Sequence, residues 1–415
     1  MNLTKLEFKK ILRGKIVLIA IIAAMGLNVF TLLVGGSQDM YSAQAPAFRT
    51  NIAAIQEQYG YFAGAITDEW TAKYTAEDEA ILRDPANRVS EQEQERIKQE
   101  LRENGVDTDY AEQNLSVYFL TEDARRLHAR YEPMAFSSFW YKNAADYAQS
   151  LGSAYREKFP GAKGEALAAD AENRYNYLAE EYTAYFNYDW GYEKLRNMMT
   201  TYPLTIGLVI LIALAPLFSN EYSRKTDALI LTAKHGKKRL ITAKIKAGLL
   251  LGVGIWAVIT LVNIILVFAL YGTAGSEAYW QNWIVDWAPF PWNQGTITVI
   301  SVITGLVGAV FLSIAVMFIS SLSKTPFAAI IAGAIVLLLP MLDFAFTTIP
   351  FINRLYCFSP SVVLIGIREW QWFDLAYIFG KAVPVQYLIG AFVAAAGTVA
   401  AFVSVRVFRS HQVEN

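Results

Sequence analysis

The chain has 415 residues, 54% of them hydrophobic and only 18% charged, and its 36 basic residues nearly balance 37 acidic ones. This composition is too apolar and too poor in charge for an ordinary soluble domain, and it gives no reason to expect a nucleic-acid partner. Since Cys357 is the only cysteine, a disulfide within the chain and a thiolate metal cluster are both excluded.

The apolar residues are concentrated in long runs. A helix needs about 20 largely uncharged residues to cross a bilayer, and six runs qualify. They are 16–34, 202–218, 247–271, 296–319, 326–342 and 387–405. We therefore predict an all-α polytopic membrane protein with six transmembrane helices, the first at 16–34 and the other five within 202–405.

Residues 1–15 precede the first span and are basic and amphipathic. We expect a cytoplasmic helix here that lies at the membrane interface through Leu6, Phe8, Ile11 and Leu12. A signal peptide is the alternative, since Ala43-Gln44-Ala45 resembles a cleavage site. The apolar run 16–34 is longer than the apolar region of signal peptides, so a retained first span is favoured.

Residues 35–201 have a different character and predict a mainly helical extracytoplasmic domain. Between positions 39 and 196 there are 28 acidic and 17 basic residues. Ser90 and Thr121 are placed to cap helices, the first of which would end at Asn104-Gly105, and a further helix is expected over 165–186. No strand is predicted. The many aromatic residues of the second half fit a core or an interfacial belt better than a substrate site.

The segment 219–246 is the most informative part of the chain, because it is strongly basic and lies between two apolar runs. Short loops with such an excess of Lys and Arg remain in the cytoplasm. The tail 406–415 is also basic, so both termini are expected in the cytoplasm of a multi-pass protein of the cell membrane. The acidic residues of this segment are Glu221 and Asp227. Its basic residues are Arg224, Lys225, Lys234, Lys237, Lys238, Arg239, Lys244 and Lys246.

Apolar residues interrupt the charges of 219–246, notably Leu229, Ile230 and Leu231. This pattern predicts two short helices broken at His235-Gly236 that dock on a protein. Contact with anionic membrane lipids is the alternative, because polybasic segments also bind lipid surfaces.

Residues that could carry chemistry are scarce. Gly236-Lys237-Lys238 lacks the earlier glycine and the hydroxyl residue of a phosphate-binding loop. The spans hold almost no ionisable groups, whereas an ion-coupled carrier usually needs them. We expect no enzyme, no metal site and no cofactor on this chain, and a transporter of this kind must take its energy from another subunit.

With these features, the chain resembles a permease subunit of an ATP-binding cassette exporter of the ABC-2 type. The resemblance rests on the topology, the N-terminal interfacial helix and the stretch 218–244, with Glu221 at the family's acidic position and Lys244 at the lysine that opens the third span. It implies a separate ATPase subunit that binds ATP and Mg²⁺, a second permease copy or a related permease, and a bacterial cell membrane. The residues it assigns to ATPase coupling are Glu221, Arg224, Lys225, Asp227, Leu229, Ile230, Leu231 and Lys244.

Two outer loops carry further expectations. In 351–382, the family commonly holds short re-entrant helices, but an amphipathic surface segment is favoured here because the loop contains Arg354 and Arg368. In the preceding loop, interfacial anchoring is expected for Trp280, Trp283, Trp287 and Trp292.

Two functions remain open. The first is an exporter permease that moves an amphipathic peptide, antibiotic or lipid out of the cytoplasm or the membrane. The second is a non-transporting sensor or assembly protein whose outer domain binds a ligand or partner.

Overall fold

A computed structural model describes residues 3–38, 48–105, 116–226, 239–281, 288–342 and 356–410. The chain forms two compact units. The membrane unit comprises Met1–Ile52, Asp189–Ser276 and Trp292–Asn415, and the inserted unit comprises Ala53–Tyr188 and Glu277–Pro291. The inserted unit is thus narrower than the predicted domain 35–201 and takes a segment from the next outer loop.

The structure is dominated by helices, which confirms the predicted fold class. In chain order the elements are α1 Leu3–Leu12, α2 Lys15–Gln38, α3 Phe48–Phe62, β1 Gly64–Ala65, α4 Asp68–Arg83, α5 Glu91–Glu103, α6 Glu122–His128, α7 Glu132–Lys158, α8 Ala162–Glu180, β2 Tyr185–Phe186, α9 Trp190–Met199, α10 Leu208–Leu214, α11 Pro216–Ser223, α12 Ile241–Tyr271, α13 Gln294–Leu322, α14 Pro326–Leu338, α15 Pro360–Ile365, α16 Arg368–Gln371, β3 Leu375–Ile378, β4 Lys381–Pro384 and α17 Gln386–Ser410.

Within the described residues, five helical stretches are long and apolar enough to cross a membrane. They are Lys15–Leu33, Pro203–Ser223, Ile241–Tyr271, Gln294–Leu322 and Gln386–Val407. The sixth predicted span, 326–342, forms the shorter apolar helix Pro326–Met341, which at about 1.5 Å per residue is less than the thickness of the hydrocarbon core. Asp343, the only carboxylate near that predicted span, is outside the described residues.

The second and third spans extend further toward the basic segment than expected. The second continues through α11 to Ser223, and the third begins at Ile241 rather than 247. Lys244 therefore lies in the first turn of a helix. The predicted break at His235-Gly236 falls outside the described residues.

The core of the membrane unit is built where α2, α10, α11, α12, α13 and α14 meet. One pair of polar side chains within it joins two helices, as expected for uncharged residues in a membrane protein. Asn28 of α2 donates to the side-chain oxygen of Asn263 on α12 at 3.1 Å. These two uncharged residues thus pair between α2 and α12.

Helix α15 corrects the expectation for the last outer loop. Its residues 361–365 are all buried, and it packs against α13 rather than lying on a surface. Gly308 of α13 makes this approach possible, because a Cβ added there would lie 2.3 Å from the backbone nitrogen of Leu364. The amphipathic interpretation is wrong for this segment, since residues 361–365 are buried against α13.

The inserted unit is mainly helical, and its first helix signals are confirmed. The hydroxyl of Ser90 accepts a hydrogen bond from the Glu93 amide at 3.3 Å, and α5 ends before Asn104-Gly105. Thr121 caps α6 in the same manner, through the Ala124 amide at 3.3 Å. These caps satisfy amide groups that have no partner within the helix.

Two expectations for this unit are wrong. The helix predicted over 165–186 ends at Glu180. Tyr185 and Phe186 then form β2, which pairs antiparallel with β1 at Gly64 and Ala65. Local sequence did not indicate these strands, because two residues are too few to show an alternating pattern.

Aromatic side chains form much of the core of the inserted unit, and among those of the second half Tyr175, Phe186 and Tyr188 are buried. Phe62 is central, with ring centroids 5.0 Å from both Tyr74 and Tyr131 and 6.4 Å from Phe186. The edge-on geometry of these pairs is the one that aromatic quadrupoles favour.

Trp280 also belongs to this unit and is not an interfacial anchor. It is fully buried, and its indole nitrogen donates to the carbonyl of Phe290 at 2.9 Å. The neighbouring Tyr141 hydroxyl donates to Gln281 at 2.7 Å. Trp283 and Trp287 lie outside the described residues.

Candidate functional site

Lys244 is the centre of the candidate site. Its side chain is buried, yet its ammonium has three acceptors. It donates to Glu221 Oε1 at 2.8 Å, to Glu7 Oε2 at 3.1 Å and to the Leu217 carbonyl at 3.3 Å. A buried ammonium is costly unless it is paired and fully hydrogen-bonded, and this one is both. Lys244 therefore joins α1, α11 and α12.

Glu221 is the second member of the network. Its Oε1 accepts from Lys10 at 2.8 Å as well as from Lys244, and its Oε2 accepts from the Thr226 hydroxyl. One compact network is thus formed by the carboxylates of Glu7 and Glu221 and the ammonium groups of Lys10 and Lys244. Charge-assisted bonds of this type are shorter and stronger than neutral ones.

Lys10 lies at the exposed edge of this network. Partial burial lowers its pKa, but the hydrogen bond and the negative charge of Glu221 outweigh that effect, so the pKa of Lys10 is raised. The lysine consequently stays charged at physiological pH and holds α1 to α11.

The chain leaves α11 through a tight turn. The amide of Thr226 donates to the Glu221 carbonyl at 3.0 Å, and Lys225 has a φ of 53° in the left-handed region. A non-glycine residue rarely adopts this conformation, and here it ends the helix directly after Arg224. Arg224 and Lys225 are exposed as a result.

The N-terminal helix presents two different faces. Phe8 and Ile11 are partly buried and pack against the core of the membrane unit. Leu6 and Leu12 are 40% and 41% exposed. The arrangement is that of an amphipathic helix with one face on protein and another face available to the membrane surface.

The structure thus brings together three of the residues singled out from the sequence, Glu221, Arg224 and Lys244, with Lys225 beside them. Asp227, Leu229, Ile230 and Leu231 are outside the described residues, so their coupling role stays a prediction. Sequence reasoning missed Glu7 and Lys10. The available signal was Glu7 itself, since it is the only acidic residue in the strongly basic stretch 1–15.

An open cavity of about 430 Å³ lies beside the network. Its charged lining residues are Glu7, Lys10, Glu221, Arg224 and Lys244. The remaining lining is largely apolar and comes from the end of α1, the start of α2, and α10 and α11. The cavity therefore combines charged and apolar walls.

These features define a class of protein. It is a helical, polytopic membrane protein with a buried charge network where the second span ends and the third begins. Comparison with protein families then identifies the chain. The family model described as "ABC-2 family transporter protein" matches residues 1–352, and the chain belongs to this family. The chain has no match among the curated proteins or the solved structures compared with it.

Proposed function

We propose that this chain is the membrane-spanning permease subunit of an ATP-driven exporter, which moves an amphipathic peptide, antibiotic or lipid out of the cytoplasm or the membrane. The observation that carries the proposal is the family match over residues 1–352. The family is one of transporters, and its match includes the whole of the charge network.

The network supports a coupling role for the segment that follows α11. Because Lys244 and Glu221 connect α1, α11 and α12, a displacement of the basic segment is transmitted to the second and third spans together. Packed elements that move as rigid bodies are the usual means of such transmission. In the proposed assembly, Glu221, Arg224 and Lys225 orient the segment, and Leu229, Ile230 and Leu231 provide the apolar anchors.

The ATPase is a separate subunit in this proposal, and that subunit binds ATP and Mg²⁺. Two permease copies, or this permease and a related one, enclose the pathway. The basic segment and both termini face the cytoplasm of a bacterial cell, and the inserted unit lies outside. The distribution of Lys and Arg in short loops supports this orientation.

The docking surface is tested by substitution. Leu231→Asp should release the ATPase or uncouple its hydrolysis, because buried apolar anchors dominate such interfaces. Lys237→Ala and Lys238→Ala, which the proposal places at the membrane surface, should have much smaller effects. The measurement is co-purification of the ATPase and its ATP hydrolysis in nanodiscs. Full retention by Leu231→Asp would place the docking surface elsewhere, and equal loss in all variants would indicate misfolding.

A further inference from the structure

Two exposed cations, Lys10 and Arg224, line the cavity beside the charge network. Lys10 has a side chain that is 57% exposed and a single carboxylate partner, Glu221. Arg224 is exposed and has no salt bridge within the described parts of the chain. Both cations line the same cavity, and Arg224 opposes the charge of Lys10 less than Glu221 favours it. An anion beside both cations would be attracted to each of them.

The ionisable lining of the cavity has an excess of positive charge. Its basic lining residues are Lys10, Arg224 and Lys244, and its acidic lining residues are Glu7 and Glu221. Lysines donate hydrogen bonds to both carboxylates, so among the described residues of this lining Arg224 is the cation available to bind a ligand. A guanidinium with an ammonium nearby is well suited to a phosphate, since it can donate two parallel hydrogen bonds.

The apolar wall indicates what carries that phosphate. Ile16 is 70% exposed and lies at the start of the first span, and Val17 follows it deeper in the unit. Ile212, Ala213 and Leu217 of the second span complete the wall. A soluble anion would leave this surface uncovered, whereas an acyl chain would bury it and gain free energy with the area covered.

We propose that this cavity binds one anionic glycerophospholipid, with its phosphate on Arg224 and Lys10 and an acyl chain along Ile16 and Ile212. The assignment rests on the proposed function in one respect, which is the placement of this end of the spans at the cytoplasmic leaflet. The lipid bridges Lys10 of α1 and Arg224, the residue that follows α11, and so holds α1 against α11. The lipid is therefore a structural ligand of the same helices that the ATPase is proposed to move.

The experiment uses the full-length permease purified without any ATPase. Wild type is exchanged into a neutral detergent and supplied with equal amounts of phosphatidylglycerol and phosphatidylcholine, and the lipid retained per chain is measured by native mass spectrometry. Soluble glycerophosphoglycerol and inorganic phosphate are added in separate samples. Three variants are compared with wild type: the double variant Lys10→Gln with Arg224→Gln, the occluding variant Ile212→Trp, and the control Lys5→Gln with Lys9→Gln on exposed positions of α1.

Wild type and the control should retain one phosphatidylglycerol in preference to phosphatidylcholine. The double variant should lose that preference by about tenfold or more, because each basic residue near a lipid headgroup contributes appreciably. Ile212→Trp should reduce retention without any change of charge. Equal retention by all proteins, equal loss in the control, or full competition by glycerophosphoglycerol or phosphate would overturn the proposal.

The outcome is independent of docking. Failure of the ATPase to bind wild type would contradict the proposed function and leave the lipid result intact. Conversely, a wild-type protein that binds the ATPase normally but shows no preference for phosphatidylglycerol would contradict only the lipid site. Circular dichroism identifies any variant that fails to fold. If the double variant does not fold, lipid retention by Ile212→Trp tests the lipid site instead.

Discussion

At the scale of single residues, Lys244 shows how a buried charge is tolerated in the membrane unit. Its three acceptors replace the water that the ammonium loses, and two of them are carboxylates. The neighbouring Lys246 lies two residues further along the same helix and is exposed. The two lysines therefore provide a matched comparison.

Lys244→Met should destabilise the protein by about 3 kcal/mol or more, because Glu7 and Glu221 would be left without their buried partner. Lys246→Ala should change the stability by less than about 0.5 kcal/mol, as exposed positions generally do. The measurement is the thermal unfolding midpoint of each purified protein in detergent. Similar midpoints for wild type and Lys244→Met would show that the network does not stabilise the fold.

A second residue pair predicts a pH dependence in the inserted unit. His128 Nδ1 and Asp78 Oδ1 are 2.7 Å apart, and the hydrogen bond to this carboxylate raises the pKa of His128. The imidazolium is thus favoured in the folded state. The stabilisation, about 1 kcal/mol, is fully present below the unfolded pKa of about 6.5 and is lost as pH rises through the higher folded pKa.

The stability of the full-length protein to denaturant should accordingly decrease between about pH 6 and pH 8 by this amount in wild type. His128→Asn should remove that part of the decrease, and Asp78→Asn should do the same. The comparison is the change in unfolding free energy with pH for the three proteins. A decrease of equal size in all three would assign the pH dependence to other groups.

At the scale of elements, the packing of α15 on α13 depends on a glycine. A methyl group at Gly308 would lie within 2.5 Å of three backbone atoms at Val363 and Leu364, and backbone cannot rotate away as a side chain can. Gly254 of α12 offers the opposite case, with no atom within 4 Å of an added Cβ.

Gly308→Ala should displace α15 and lower the unfolding midpoint, at a cost of about 1 to 3 kcal/mol for overpacking. Gly254→Ala should be neutral or stabilising, since alanine has the higher helix propensity. Reaction of Cys357 with a thiol reagent reports the position of the segment before α15 and should accelerate only in Gly308→Ala. An unchanged rate and midpoint in that variant would contradict the close packing.

The elements also show which structural features local sequence can predict. The caps at Ser90 and Thr121 were predictable because capping depends on residues within one turn. The contact between Glu7 and Lys244 was not predictable. It joins residues far apart in the chain and depends on which faces α1 and α12 turn toward each other. The burial of α15 was missed for the same reason, because the glycine that admits it belongs to another helix.

At the scale of the molecule, the inserted unit is completed by a segment from a second loop. Glu277–Pro291 supplies Tyr279, whose amide donates to the Tyr185 carbonyl at 2.8 Å, and Gln281, which accepts from the buried Tyr141. Tryptophan-rich loops between spans are usually interfacial, so composition alone favoured the other interpretation.

A fragment of residues 53–188 should therefore be less stable than the same fragment joined by a flexible linker to residues 277–291. We expect a melting midpoint at least about 5 °C lower for the shorter fragment, because it exposes the groups that Tyr279 and Gln281 contact. Circular dichroism at increasing temperature provides the comparison. Equal midpoints would show that the segment from the second loop contributes little to this unit.

The central claim is that the chain works with an ATPase as the membrane-spanning part of one transporter. The direct measurement is purification of the tagged wild-type chain from its native membranes in mild detergent, followed by identification of bound subunits and assay of ATP hydrolysis in nanodiscs. We expect an ATP-binding cassette ATPase in equal amount and hydrolysis that is sensitive to vanadate. A chain that purifies without an ATPase, and hydrolyses no ATP in its complexes, would contradict the account.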